Sequence, residues 1–172
     1  MRKGSVRSGL IRRGDYLYHG DKVITGQIGS ASFIMIYEDT SIKIYNNSVV
    51  RLLSERYSML NHSELALFVG KVIIEADDNM GYNFVVNTPS TKATVSGTNF
   101  LAEYQEDLLF DGINYAIFTV LEGLIELENL NSNLLMFLHN GETIVSTENG
   151  KFLRLDTFRS SDEIVNSLLE FR

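Results

Sequence analysis

From Asn83 to Tyr104 the sequence reads as three short extended runs, the second and third alternating in steps of two, interrupted once by a proline and once by a glycine. Few folds accept such a run. Asn83 to Asn87 reads as a strand that must stop at Thr88-Pro89. Pro89 is the only proline in the chain; it fixes its own φ, removes a backbone donor and pushes Thr88 toward an extended shape. The chain restarts with Thr91, Ala93 and Val95 on one side and Lys92 and Thr94 on the other, the period of a half-buried strand. Gly97 ends that run, as a corner, a bulge or a close backbone approach requires. Phe100, Ala102 and Tyr104 then resume the alternation.

The same punctuation recurs along the chain. Gly14-Asp15 and Gly20-Asp21 are turn signals on either side of Tyr16-Leu17-Tyr18, and Gly26 and Gly29 mark a further turn. Phe33 to Tyr37 is an unbroken apolar run and suits a buried strand. Ile42 and Ile44 face in around Lys43. Asn46-Asn47-Ser48 turns the chain into Val49 to Leu53. Leu65 to Val69 and Val72 to Ala76 read as two strands meeting at a Gly70 corner. Asp77-Asp78-Asn79 is a loop. Tyr115 to Leu121 is apolar on both faces and so reads as an interior strand. Gly123 separates it from Leu124 to Glu128, where Ile125 and Leu127 face in. Leu134 to Leu138, Thr143 to Ser146 and Phe152 to Leu155 complete about a dozen short strands. Breaks at intervals of roughly 8 to 12 residues argue for an all-β sandwich, barrel or β-solenoid, and no strict repeat length is visible.

The two ends differ from this body. Residues 1–13 form a basic entry segment whose Val6 and Leu10-Ile11 are candidates for pairing at a sheet edge. At the other end, Ser160-Ser161-Asp162-Glu163 has the form of a capping box. Ile164, Val165, Leu168, Leu169 and Phe171 follow at helical spacing. The pattern predicts an amphipathic helix over 161–171, within a C-terminal segment 158–172. It either covers an open end of the sheets or binds a partner.

With 172 residues, 44% of them apolar, the chain suits one folded domain rather than a disordered segment. No run approaches the roughly 20 apolar residues of a membrane helix. Met1 to Lys3 is basic, but Ser5 to Asp15 carries Arg7, Arg12 and Arg13 where a signal peptide has its apolar region. An exported form is therefore expected to owe its targeting or membrane attachment to a segment outside this chain. The absence of cysteine excludes disulfides and thiolate ligands.

Charge is unevenly placed. The first 13 residues hold five basic groups and no acid, leaving ten basic residues against 22 acidic ones in the rest. An acidic body argues against binding a phosphate backbone, so no nucleic-acid partner is expected. The basic start reads as a solvated tail or as a membrane-surface contact.

Reactive constellations are few. His19, His62 and His139 lie far apart beside turn residues and form no spaced metal motif. Glu122, Glu126 and Glu128, with Glu142 nearby in sequence, read as a charged outer face rather than a catalytic pair. Asp77-Asp78-Asn79 lacks the alternate spacing of a calcium loop. Ser90 and Ser96 stand in no nucleophile elbow. Thr88-Pro89 and Gly97-Thr98 read as architecture, the hydroxyls serving corner backbone groups. No catalytic, metal or cofactor residue is expected.

The wording of the central stretch is more specific. Thr88-Pro89 through Ala93, Val95, Gly97-Thr98 and Phe100 resembles the signature of the FecR family of bacterial extracytoplasmic signalling domains. Gly20-Asp21 with Thr25-Gly26 resembles that family's opening motif, and Ser30-Ala31 its next. Val69-Gly70-Lys71-Val72, Val120 to Ile125 around Glu122-Gly123, and Leu138 to Glu142 follow in the family's order. The resemblance covers about residues 9 to 150. It departs at Glu38-Asp39-Thr40, where the family has Asp-Gly-Thr.

The resemblance implies a β-solenoid-like stack or sandwich over 14–157, placed in the periplasm or cell envelope. It implies a non-enzymatic role in signal transduction through a protein partner, an envelope or membrane signalling component. Membrane attachment would come only through a segment absent here. Sheet edges near Thr143 to Ser146 and Phe152 to Leu155 are the expected contact surfaces. The competing reading is a carbohydrate-binding or carbohydrate-active β-fold, disfavoured by aromatic residues at inward positions and by the absence of tryptophan. Self-association through sheet edges is a third, and the oligomeric state stays open.

Overall fold

A computed structural model describes residues 9–36, 39–53, 62–76, 83–106 and 112–154. It contains β1 (Lys22–Ile24), β2 (Ala31–Met35), β3 (Thr40–Ile44), β4 (Val49–Leu52), β5 (His62–Glu75), β6 (Asn83–Asn87), β7 (Thr91–Val95), β8 (Asn99–Gln105), β9 (Tyr115–Glu122), β10 (Leu124–Asn129), β11 (Leu135–His139), β12 (Thr143–Thr147) and β13 (Phe152–Arg154). The architecture is all-β, and no helix occurs among the described residues. The helix expected over 161–171, the Asp77-Asp78-Asn79 loop and residues 1–8 of the entry segment lie outside them.

The strands form one folded ribbon with two facing sheets. Sheet I runs β1-β4-β5-β6-β7-β10-β11. Sheet II runs β2-β3-β5-β8-β9-β12-β13. Every pairing is antiparallel except that of β5 with β6. β5 belongs to both sheets: its first half pairs with β4 and β6, its second with β3 and β8. The bend between the halves lies at Gly70, φ +97°. The sequence reading had two strands meeting there. The strand instead runs through the corner, because both halves keep ladder partners on both sides.

The core lies between the two sheets. Leu65, Leu67, Ala93, Ile125 and Leu127 come from sheet I; Ile42, Val72, Ile74, Phe100, Phe118 and Ile144 come from sheet II, all buried in one cluster. Burial of each large member contributes about 1.5–3 kcal/mol. Lys43 of β3, Arg51 of β4 and Glu126 of β10 point to solvent, as the period-two pattern demands.

Two expectations fail. The Phe33 to Tyr37 run is not a buried strand. β2 ends at Met35, sits at the edge of sheet II and alternates, leaving Ile34 64% exposed. Its apolar character overstated its depth, since an edge strand covers only one face. Leu10 and Ile11 pair with no sheet edge; Gly9 to Asp21 contains no strand and both side chains are exposed.

Tyr104 ends the inward row of β8 and is buried. Burial first, then the charge of Glu148, pushes its phenol pKa above the usual value; Glu106 adds to this and a hydrogen bond with Asn114 opposes it. The fold thus favours the neutral phenol. In the unfolded chain tyrosine ionises near pH 10. The stabilisation is complete below about pH 10 and is lost as pH rises through the higher folded value. In urea unfolding across this alkaline range, Tyr104→Phe is expected to lose stability less steeply than the wild type. Parallel curves would show that the phenol does not sense its burial.

Candidate protein-interaction edges

The turns that carry the ribbon from one sheet to the other share one construction. At each, the backbone ladder is interrupted and a side-chain hydroxyl takes up a freed N–H. Ser48 N–H donates to Thr25 Oγ1 at 2.9 Å, and Lys71 N–H donates to Ser48 Oγ at 2.9 Å. At the opposite corner Leu124 N–H donates to Thr98 Oγ1 at 3.4 Å, while that hydroxyl donates to Leu124 O at 2.9 Å. A glycine sits against such a hydroxyl in both places. A Cβ on Gly70 would lie 2.1 Å from Ser48 Oγ, and one on Gly123 2.8 Å from Thr98 Oγ1.

The residues singled out from the sequence are spread over these turns. Gly20 and Asp21 form the turn into β1, where Gly20 N–H donates to Leu52 O and Leu52 N–H to Asp21 O. Gly26 O accepts from Gly29 and Asn47 N–H groups, next to Thr25. Thr88 and Pro89 make the β6–β7 turn, with Thr91 N–H donating to Thr88 Oγ1 at 3.0 Å. Gly97, Thr98, Glu122 and Gly123 meet at one corner, where Asn99 Nδ2 donates to Glu122 Oε2 at 3.3 Å. Phe100, just after it, is buried in the core. The arrangement brings no two of them together as reacting groups.

The other acids and histidines do not converge either. Glu126 and Glu128 follow each other on the outward side of β10, whereas Glu142 lies in the turn before β12 and accepts from His139 N–H at 2.8 Å. His19 and His139 are exposed, and of His62 only the backbone is described. Among the described residues no three His, Asp or Glu side chains gather as a metal site.

A buried polar knot, which the sequence did not announce, ties the sheets together near the β10–β11 turn. Asn129 Nδ2 donates to Ser146 Oγ and to Thr147 O, both at 2.9 Å. Its Oδ1 accepts from Asn131 and Ser132 N–H at 3.1 and 3.2 Å. Thr91 Oγ1 donates to Ser146 Oγ at 2.7 Å. Sheet I thereby grips the β12–β13 hairpin of sheet II immediately before β11 begins.

Among the described residues, four strands end the ribbon. β1 and β13 are three residues long and carry Lys22 and Arg154; short length and charge discourage the addition of a further strand. Arg154 reaches Glu142 at 3.5 Å in an exposed pair, which adds little stability. β2 and β11 have five residues each and no charged side chain. β2 closes one end of the ribbon and β11 the other, each paired on one side only among the described residues. Outward on β11 stand Leu135 and Phe137, the latter 51% exposed, with Leu134 exposed beside them.

The contact segments expected from sequence fare differently. Phe152 to Arg154 is an edge, but Thr143 to Ser146 is not: β12 is flanked by β9 and β13. β11 was missed because Leu134 to Leu138, apolar on both faces, has the composition of an interior strand. The signal available was the lack of any lysine or proline guarding it.

These features define an all-β domain of two facing sheets without an evident reaction centre among the described residues. No known family model matches the chain, and no curated protein does. Two crystal structures of a candidate anti-sigma factor from Parabacteroides distasonis share the fold, each with a TM-score of 0.64 at 20% sequence identity. The match covers 78% of this chain and 58% of the other, so the chain spans less than two-thirds of its neighbour's length.

Proposed function

We propose that this chain is a FecR-like regulatory domain that works outside the cytoplasm, catalyses no reaction and acts by binding a protein partner along β11. The observation that carries the reading is the fold shared with a protein described as an anti-sigma factor. The ordered FecR-like motifs support it, since they fall at the turns that shape the ribbon. β11 supports the mode of contact. An uncharged strand paired on one side only among the described residues offers a row of backbone donors and acceptors, and outward side chains such as Phe137 and Leu135 provide selectivity. The partner would be an envelope or membrane signalling component.

Deleting the gene should alter transcription from a set of promoters that share one recognition element. Complementation with the wild type should restore the pattern, and Phe137→Lys should not. Phe137 is half exposed on an edge, so lysine there should change stability by no more than about 0.5 kcal/mol. Unchanged transcription after deletion would sink the regulatory reading. Full rescue by Phe137→Lys would move the contact away from β11.

A further inference from the structure

The sequence contains two Asn-Gly pairs, Asn140-Gly141 and Asn149-Gly150, one on either side of β12. Such a pair can react with itself. The glycine nitrogen, which no neighbouring Cβ shields, attacks the asparagine Cγ and expels ammonia, leaving a cyclic succinimide. The sequence treats the two pairs alike, but the fold does not. Their nucleophiles are equally restrained: Gly141 N–H donates to Val120 O at 2.9 Å and Gly150 N–H to Thr147 O at 3.0 Å. The difference lies in the amide attacked and in the room around it. Thr147 Oγ1 donates to Asn149 Oδ1 at 2.5 Å and ties that amide back to residue 147. Thr147 is itself buried, and its carbonyl accepts from Asn129 Nδ2. Gly150 is buried too, and a Cβ there would lie 2.9 Å from Ser132 Cβ. Swinging Asn149 onto Gly150 N therefore means disturbing the Asn129 knot. Asn140 has no such restraint. Asn140 and Gly141 are exposed, no other described residue bonds the Asn140 side chain, and nothing lies within 4 Å of a Cβ on Gly141.

We infer that Asn140 is a site of spontaneous deamidation and that the fold protects Asn149. Opening of the turn frees Gly141 N from Val120 O. A bond forms from that nitrogen to Asn140 Cγ, the Cγ–Nδ2 bond breaks, and the amide proton leaves with the ammonia. Water then opens the ring. Attack at Cγ gives aspartate; attack at the backbone carbonyl gives isoaspartate, whose main chain runs through the former side chain and is one carbon longer. Either product sets a new carboxylate in the turn that Glu142 N–H closes on His139 O at 3.0 Å. The longer isoaspartyl chain also draws Gly141 away from Val120 O and slackens the corner between β11 and β12. The site goes beyond the binding role proposed above and does not depend on it.

The test follows the wild-type chain through prolonged incubation at neutral pH in water enriched in heavy oxygen. Peptide mass spectrometry and enzymatic methylation of isoaspartate are the readouts. In the folded chain, conversion at Asn140 is expected to run at least about tenfold faster than at Asn149, because reaction waits on local opening, which is easiest where fewest buried contacts break. In urea the two sites should react at similar rates. Gly141→Ala should slow the first site and leave the second unchanged. Thr147→Val, which removes the hydroxyl bound to Asn149 Oδ1, should speed the second without speeding the first. Equal rates in the folded chain, or faster conversion at Asn149, overturn the inference. A preference that persists undiminished in urea overturns it as well, since the flanking residues and not the fold would then set it.

Discussion

Gly70→Ala should lower the unfolding free energy by about 4 kcal/mol, the largest single effect expected from so small a change. Two costs coincide there. The φ of +97° lies where side chains are rarely tolerated. The added Cβ would also lie 2.1 Å from Ser48 Oγ and 2.5 Å from Ser48 Cα. Turning the Ser48 side chain away relieves only the first contact and breaks the 2.9 Å bond that Lys71 N–H makes to that hydroxyl. The Cα cannot turn away, because Ser48 N–H is held by Thr25 Oγ1. Gly141→Ala separates the two costs. Its φ is +79° and nothing lies within 4 Å of the new Cβ, so strain alone should cost about 1–2 kcal/mol. Urea unfolding of the two variants side by side decides the matter. Equal losses would mean that the corner yields and that the tight Gly70–Ser48 contact is not what fixes it.

The corners were largely readable because they depend on local chemistry. Gly97, Gly123 and the Thr88-Pro89 pair interrupt alternating runs, and only a turn accommodates such an interruption. β7 and β10 were equally plain, since one face of each meets the core and the period-two pattern states which. Strand order was not readable, because neighbours in a sheet are set by pairings between residues far apart in sequence. Thr143 to Ser146 therefore looked like an edge, whereas Leu134 to Leu138 was read only as one more strand. Tyr115 to Leu121 shows the converse. Its two apolar faces correctly announced an interior strand, and its outward Tyr115 and Ile117 are buried as well. Hydrophobicity reports that a side chain is covered, but not by what.

Asn129→Ala should cost about 3 kcal/mol, because four partners each lose a bond to a fully buried side chain. Asn129 is fully buried. Its amide is the donor to Ser146 Oγ and Thr147 O and the acceptor for Asn131 and Ser132 N–H. Alanine takes the side-chain acceptor from the Asn131 and Ser132 N–H groups and leaves Ser146 Oγ and Thr147 O with only Thr91 Oγ1 and Gly150 N–H as donors. Asn129→Asp keeps the shape and both incoming N–H bonds but sets an oxygen against the Thr147 carbonyl. Its loss should therefore be similar, which distinguishes bonding from packing. Ser146→Ala removes the acceptor of Thr91 Oγ1 and of Asn129. Since the sites touch, the double variant Asn129→Ala with Ser146→Ala should fall short of the summed single losses by about 1 kcal/mol. The knot immediately precedes β11, so loosening it should also blur the register of the edge offered to a partner. Partner binding by Asn129→Ala, measured where the variant is still folded, should be weaker although Asn129 itself never reaches the surface. Wild-type affinity in that variant would show that β11 holds its register without the knot.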